Sequence, residues 1–253
     1  MNAAETRPLA IITGASRGLG FETAKALAIQ GFDLVLIAKD PDRLAGAATA
    51  ISAVCDIKNT NISYIACDLE QPHLVRELTD SINQSLPTPQ LLILAHGVMS
   101  EKMSKTLKTN DAEWRRVMAI NLDSVFQLVN GIAPAMADAR NGRVIIFSAC
   151  LGRMSGPGNA GGLAPYRISK AGVNALVRNL AHETGLGARG FLVDAICPNH
   201  SRTDMGGADA PRSAEEGAAT AVWLATRAFD SAGSTDAQKI TGVLWEDNQI
   251  VPW

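Results

Sequence analysis

The chain has 253 residues, with 25 acidic and 23 basic side chains and a formal net charge of −2. That near balance gives no electrostatic case for nucleic acid or an anionic membrane as partner, and no apolar run approaches the ~18 residues of a membrane span. Hydrophobic residues make up 47%, enough to fill the core of one large domain or two small ones. The amino terminus, MNAAETRPLA, lacks the basic and apolar regions of a secretory signal. A soluble, cytoplasmic protein is expected. Cys55, Cys67, Cys150 and Cys197 show no CxxC spacing, and His73, His96, His182 and His200 are scattered. Free thiols and no metal site are the reading.

Short apolar runs alternate with helical patterns along the whole chain. Strands are predicted at Leu9–Thr13, Leu34–Ala38, Ser63–Ala66, Leu91–Ala95, Val144–Phe147, Leu192–Ile196 and Ile240–Leu244. Helices are predicted near 18–30, 41–55, 71–86, 111–139, 166–184 and 213–228. Continuous apolar strands imply burial on both faces, as in a parallel sheet covered by helices. The expectation is one doubly wound α/β domain over 1–253, with seven mainly parallel strands and helices on both faces.

The first strand runs into Thr13-Gly14-Ala15-Ser16-Arg17-Gly18-Leu19-Gly20 and then a helix. Glycines there permit a tight turn and a close approach of backbone N–H groups to a pyrophosphate. The helix N-terminus adds partial positive charge. The position between strand and helix is the context that a dinucleotide site requires.

After the second strand come Ala38, Lys39 and Asp40. An NAD site usually carries an acid there for the ribose hydroxyls. Ala38 leaves the space uncharged, and Lys39 and Arg17 can meet a 2′-phosphate, which favours NADP(H). Asp40 before Pro41 reads as the N-cap of the next helix. Asp68, after the third strand, can reach an adenine edge or cap a helix. Asn121 interrupts the long pattern AEWRRVMAINLDSVFQLVN. Asn is a poor mid-helix residue, so it marks either a functional break or a solvated position.

The stretch from Arg143 to Leu180 holds a buried strand, a Gly- and Pro-rich loop, and a helix opening at Tyr166. Tyr166 and Lys170 are four apart and lie on one helix face. An ammonium beside a phenol lowers the phenol's pKa and makes a general acid/base. A surface pair has the same spacing.

With these motifs in order, the chain resembles the short-chain dehydrogenase/reductase family along essentially its whole length. The resemblance rests on TGASRGLG at 13–20, CDL at 67–69, Asn121 in INL, YRISK at 166–170 and CPNHSRTDM at 197–205. RTDMGG and the terminal Pro-Trp are most similar to the carbonyl-reductase-like branch. The resemblance implies a single Rossmann-type domain. It implies an NADP(H)-dependent oxidoreductase that moves hydride between nicotinamide and a carbonyl or secondary alcohol. Tyr166 then gives or takes the proton, Lys170 lowers its pKa and binds the nicotinamide ribose, and Asn121 holds a relay water. Cofactor-binding positions are implied at Gly14, Ser16, Arg17, Gly18, Leu19, Gly20, Lys39, Asp68, Leu69, Gly97, Tyr166, Lys170, Pro198 and Thr203.

Residues 153–165 and 199–212 are expected to cover a small, largely apolar substrate. A homodimer or homotetramer is expected through the helices around 112–138 and 166–184, where Val117, Ile120, Val125, Phe126, Val129 and Ile132 spread over more than one stripe.

Three departures bear on the site. The family's Asn-Asn-Ala-Gly reads Leu94-Ala95-His96-Gly97, and its Pro-Gly reads Pro198-Asn199. Its substrate-polarising serine falls on the pair Ser148-Ala149; by distance to Gly152 the position belongs to Ala149, with Ser148 a hydroxyl on the other side of the strand. His96 and His200 are then either unusual site residues or replaced packing and loop positions. The alternatives are a catalytically impaired, nucleotide-binding regulatory protein, or an isomerase or dehydratase on the same scaffold.

Overall fold

β1 (Leu9–Thr13) is buried at all five positions and pairs in parallel with β2 (Asp33–Ala38) on one side and β4 (Leu91–Leu94) on the other. This is the arrangement expected of apolar runs without polar alternation. The computed structural model describes residues 7–55, 60–101, 104–156, 160–230, 232–233 and 235–253. Residues 1–6 of the amino-terminal reading and 157–159 of the covering loop therefore lie outside the described residues.

β3 (Ile62–Ala66) flanks β2, while β5 (Gly142–Phe147) and β6 (Phe191–Ile196) follow β4. β7 (Leu244–Glu246) adds in parallel, and β8 (Gln249–Val251) closes the edge antiparallel. The order is β3-β2-β1-β4-β5-β6-β7-β8. Among the described residues the sheet thus has eight strands where seven were expected, and the seventh begins at Leu244 rather than Ile240. The cause is Asp194, buried in β6. Thr241 Oγ1 donates to its carboxylate at 3.1 Å, as do the Gly242 N–H at 3.1 Å and Trp245 Nε1 at 2.9 Å. Arg227 pairs with it at 3.1 Å. Residues 241–242, with Gly242 at φ +79°, serve that buried charge instead of a strand ladder.

α1 (Gly18–Ile29), α2 (Pro41–Val54) and α7 (Ala214–Thr226) pack Leu27, Leu44, Ile51 and Leu224 onto one sheet face. α3 (Pro72–Ser85), α5 (Ser124–Asp138) and α6 (Ala164–Glu183) pack Val75, Leu128, Ile132 and Val177 onto the other. Each such side chain, fully buried, contributes roughly 1.5–3 kcal/mol. α4 (Asp111–Met118) precedes α5, and a single turn, α8 (Asp236–Lys239), precedes β7.

Two helix boundaries differ from expectation. α6 opens at Ala164, two residues before Tyr166, with Pro165 in its first turn and Leu163 left-handed at φ +51°. The single helix expected over 111–139 is split by a π turn, Ala119–Asp123, with Asn121 at its centre. Asp40 caps α2 by accepting from the N–H groups of Asp42 and Arg43, as its place before Pro41 predicts.

Candidate active site

The strand order reverses between β1 and β4, and helices leave those strands on opposite faces. A crevice opens at their carboxyl ends. Its volume is about 360 Å³. Gly14, Ser16, Arg17, Gly18, Leu19 and Gly20 form one wall; Lys39, Asp68, Leu69, Gly97 and Thr203 reach it from four other strand ends. Tyr166, Lys170 and Pro198 are not on its wall.

The glycines are dictated by close approach. A Cβ on Gly14 (φ +66°) would lie 2.9 Å from the backbone of His96, and one on Gly20 would lie 2.4 Å from the Gly14 carbonyl. The first turn of α1 has no side-chain cap and no acid, so its N–H groups are left for an anion. This cradle and the cations around it fit a dinucleotide phosphate.

Those cations are answered by acids from the chain itself. Arg17 pairs with Asp204 of the covering segment at 2.6 Å, and Lys39 with Asp68 at 2.7 Å. The Asp68 bond raises the Lys39 pKa. Burial pushes the Asp68 carboxyl up, but Lys39 and the Glu70 N–H together hold it below its usual range. Asp68 does not cap α3, whose N-cap is Gln71. Arg43 also lines the crevice. The sequence reading missed it, although it stands four residues after Lys39 at the start of α2.

The His96 departure resolves into a buried bridge. Nδ1 is 2.6 Å from Thr13 Oγ1, and Nε2 is 2.9 Å from Ser124 Oγ. The Ser124 hydroxyl donates to the Ile120 carbonyl at 2.7 Å. It therefore accepts from Nε2–H, and Nδ1 accepts from Thr13, one consistent tautomer that satisfies all three groups. Burial, with Lys170 second, lowers the His96 pKa to about 3. His200 holds its own loop by donating from Nε2 to the Gly206 carbonyl at 2.8 Å. Asn199 takes the family's glycine position at φ +57°. Asn enters that region more readily than other residues with a Cβ.

Asn121 and Lys170 meet at Gly97, which lines the crevice. Asn121 accepts from the Val98 N–H at 2.8 Å and donates to its carbonyl at 2.9 Å. A Cβ on Gly97 would sit 3.3 Å from Asn121 Oδ1 and 3.5 Å from Lys170 Nζ. Lys170 Nζ donates to the Phe147 carbonyl at 2.7 Å. Burial lowers the Lys170 pKa to about 8. The Tyr166 N–H donates to Ser100 Oγ at 2.8 Å, and the ring is buried. Its phenol is not drawn down towards neutrality as the sequence predicts. Burial first, then the charges of Cys197 and Cys150, push it well above 10.

At the end of β5, Ser148 Oγ donates to Asn174 Oδ1 at 2.5 Å and lies 3.3 Å from the Lys170 carbonyl. Ala149 follows in extended backbone and leads into a 3-10 turn, Cys150–Gly152. Ser155 Oγ, in the loop that follows, donates to the Trp253 carbonyl at 3.1 Å. The segment 199–212 is closed on itself: the Arg202 N–H donates to the Arg212 carbonyl at 2.7 Å, and Arg212 pairs with Asp247. Pro198 accepts from Ser201 Oγ at 2.9 Å.

Residues 8–214 match the sequence profile of the short chain dehydrogenase family. The chain is 30% identical over 200 residues to the 3-oxoacyl-(acyl-carrier-protein) reductase FabG of Escherichia coli strain K12, covering 78% of this chain and 75% of that protein. A solved metagenomic short-chain oxidoreductase in complex with NADP superposes with a TM-score of 0.73 at 27% identity, over 87% of this chain and 91% of that one. A short chain dehydrogenase from Salmonella enterica serovar Typhi shares the fold, with a TM-score of 0.80 at 21% identity over 95% of each chain. With its crevice at the β1/β4 reversal and Tyr166 and Lys170 one turn apart beside it, the chain belongs to the short-chain dehydrogenase/reductase family.

Proposed function

We propose that the protein is an NADP(H)-dependent oxidoreductase acting on a carbonyl or secondary alcohol of a small, largely apolar substrate, with residues 1–253 forming one nucleotide-binding and catalytic domain. The observation that carries this reading is the meeting of Asn121, Lys170 and the backbone of Gly97 at the inner end of a glycine-built nucleotide crevice. Bound in that crevice, NADP(H) supplies or accepts the hydride. The relative solved with NADP supports the choice of cofactor, as do Arg17, Lys39 and Arg43 around the crevice.

Tyr166, held as a protonated phenol by burial, suits proton donation to a carbonyl oxygen and hence reduction. Lys170, at about 8, is mostly an ammonium at neutral pH and is placed to meet a ribose hydroxyl. Asn121 fixes Val98, and through it the Gly97 turn that separates nucleotide from catalytic groups. Residues 153–165 and 199–212 cover the substrate, and the carbonyl-reductase-like character read from RTDMGG belongs to the same proposal. A second reading, a nucleotide-binding regulatory protein with impaired turnover, draws on one observation: the Ser148 hydroxyl at the end of β5 is spent on Asn174, and the next residue, Ala149, has none to offer.

NADPH consumption over a panel of apolar ketones separates the two. Turnover with NADPH, falling about 100-fold or more in Tyr166→Phe with NADPH binding retained, is the expected outcome. Tight NADPH binding without turnover would favour the regulatory reading, and equal affinities for NADPH and NADH would remove the cofactor assignment. We further propose a cytoplasmic homodimer or homotetramer; among the described residues no helix is long and apolar enough to cross a membrane.

A further inference from the structure

Strand pairing between β5 and β6 ends at Phe147 and Ile196, with the Ser148 N–H still reaching the Ile196 carbonyl at 2.8 Å. The chain then enters the 3-10 turn Cys150–Gly152. There the Cys150 N–H donates to Cys197 Sγ at 3.0 Å, so the first residue of the turn sits against the first residue after β6. One bond joins that nitrogen to its Cα and two join the sulfur to the other. The two Cα atoms therefore stand within ~7 Å, a span that a disulfide can bridge. Both thiols are free, Cys150 half-buried and Cys197 buried.

The turn that carries Cys150 rests on the turn of α6 that carries Lys170. A Cβ on Gly152 would lie 2.7 Å from the Lys170 Cβ, and the Gly152 carbonyl accepts from Asn174 Nδ2 at 3.2 Å. The charges of both sulfurs act on the Tyr166 phenol. The two sulfurs also share a proton. Their mutual hydrogen bond lowers Cys150 to about 6 and, with burial, pushes Cys197 up. Such a pair gives up its first proton more readily than an isolated thiol and holds its second. The other two cysteines differ. Cys55 Sγ donates to the Ala28 carbonyl at 3.3 Å, and burial pushes Cys67 up to about 11. The hydride chemistry proposed above gives neither Cys150 nor Cys197 a task.

We propose that Cys150 and Cys197 are an oxidation site, at which a hydroperoxide converts the two thiols into an intramolecular disulfide. The half-buried Cys150 sulfur attacks the peroxide, and an S–OH bond forms as the O–O bond breaks. The departing oxygen takes the proton that Cys150 gave up and leaves as water or an alcohol. The Cys197 sulfur then attacks the Cys150 sulfenic acid, forming the S–S bond as the S–O bond breaks. The oxygen leaves as water with the Cys197 proton. The two sulfurs lose two electrons and the peroxide gains them. In a reducing compartment, exchange with a small thiol reverses the step, so the disulfide is transient. Closing it shifts the turn on which Lys170 rests and slows hydride transfer. That last effect depends on the reductase reading; the disulfide does not.

The test treats the full-length, reduced protein with a small excess of hydrogen peroxide, alkylates it, digests it without reductant and weighs the peptides by mass spectrometry. The Cys150 peptide should be joined to the Cys197 peptide, with two of the four thiols lost and Cys55 and Cys67 alkylated. Dithiothreitol should restore all four. Cys197→Ser should leave Cys150 as a sulfenic acid that dimedone traps, and Cys150→Ser should leave Cys197 a thiol. The native protein decides without either variant. Four surviving thiols overturn the proposal, as does a disulfide through Cys55 or Cys67, or a Cys150 sulfinic acid with Cys197 still free. On a ketone that the protein reduces, the oxidised form should turn over about 10-fold more slowly and recover with dithiothreitol. A disulfide with turnover unchanged overturns the link to the catalytic turn. Ketone reduction with four resistant thiols removes the site and leaves the reductase standing. A Cys150–Cys197 disulfide in a protein that reduces no ketone supports the site and removes the reductase.

Discussion

Ser148 and Ala149, adjacent at the end of β5, illustrate what a residue's own neighbourhood discloses and what it hides. Strand alternation predicts that they face opposite ways, and the Ser148 hydroxyl is committed to Asn174 and α6. Its partners sit 22 and 26 residues away, which no local pattern reveals. If Ala149 holds the serine position, Ala149→Ser restores a donor whose loss elsewhere costs ~10²–10³ in rate. The turnover number on an authentic ketone should rise by about 10-fold or more. Ser148→Ala should lower stability by about 1 kcal/mol and leave turnover within a few-fold. Loss of turnover in Ser148→Ala with cofactor binding intact would place the register one residue earlier. The Asn199 departure was legible in principle, since Asn is the side chain best able to replace a glycine at positive φ.

At the level of elements, and among the described residues, hydrophobic period located α1 to α7, with α4 and α5 read as one, and six of the strands to within a few residues; the short α8 and β8 were missed. It failed where a buried polar group took command. Asp194 delayed β7, and the π turn at Asn121 broke a helix that reads as continuous. Such turns recur at functional sites because the extra residue redirects one side chain; here it aims Asn121 at both polar groups of Val98. His96 ties β1, β4 and the π turn together, and that gives a pH dependence. Its folded pKa is near 3 and its unfolded value 6.5, so below 6.5 the unfolded chain takes up a proton that the native state refuses. The stabilisation is complete above pH 6.5 and is lost as pH falls towards 3, at a slope of about 1.4 kcal/mol per unit. Urea unfolding between pH 7 and 5 should show this slope in the native protein, and His96→Asn should reduce it by about that amount. An unchanged slope would mean that the imidazole is protonated within the fold.

Over the whole molecule, the alternation of strand and helix disclosed the doubly wound sheet, but not how its surface is completed. Trp114 on α4, Phe126 on α5 and Ile168 on α6 are 39%, 52% and 43% exposed, large apolar side chains on three helices, the last of which also carries Tyr166 and Lys170. Assembly through this face is the expected use. Light scattering at micromolar concentration should give a multiple of the 26.7 kDa chain mass, and Phe126→Glu should shift it towards the monomer; a monomeric native protein would refute the assembly. The reversal of strand order between β1 and β4 has a consequence for the nascent chain. β1, β2 and β3 can pair as they leave the ribosome, but the second neighbour of β1 is Leu91–Leu94. At ~5–20 residues per second, β1 presents a bare, wholly apolar edge for roughly 4–16 s before β4 is made. The crevice has no second wall in that interval. Tyr166 and Lys170, later still, join a sheet whose nucleotide half is already built.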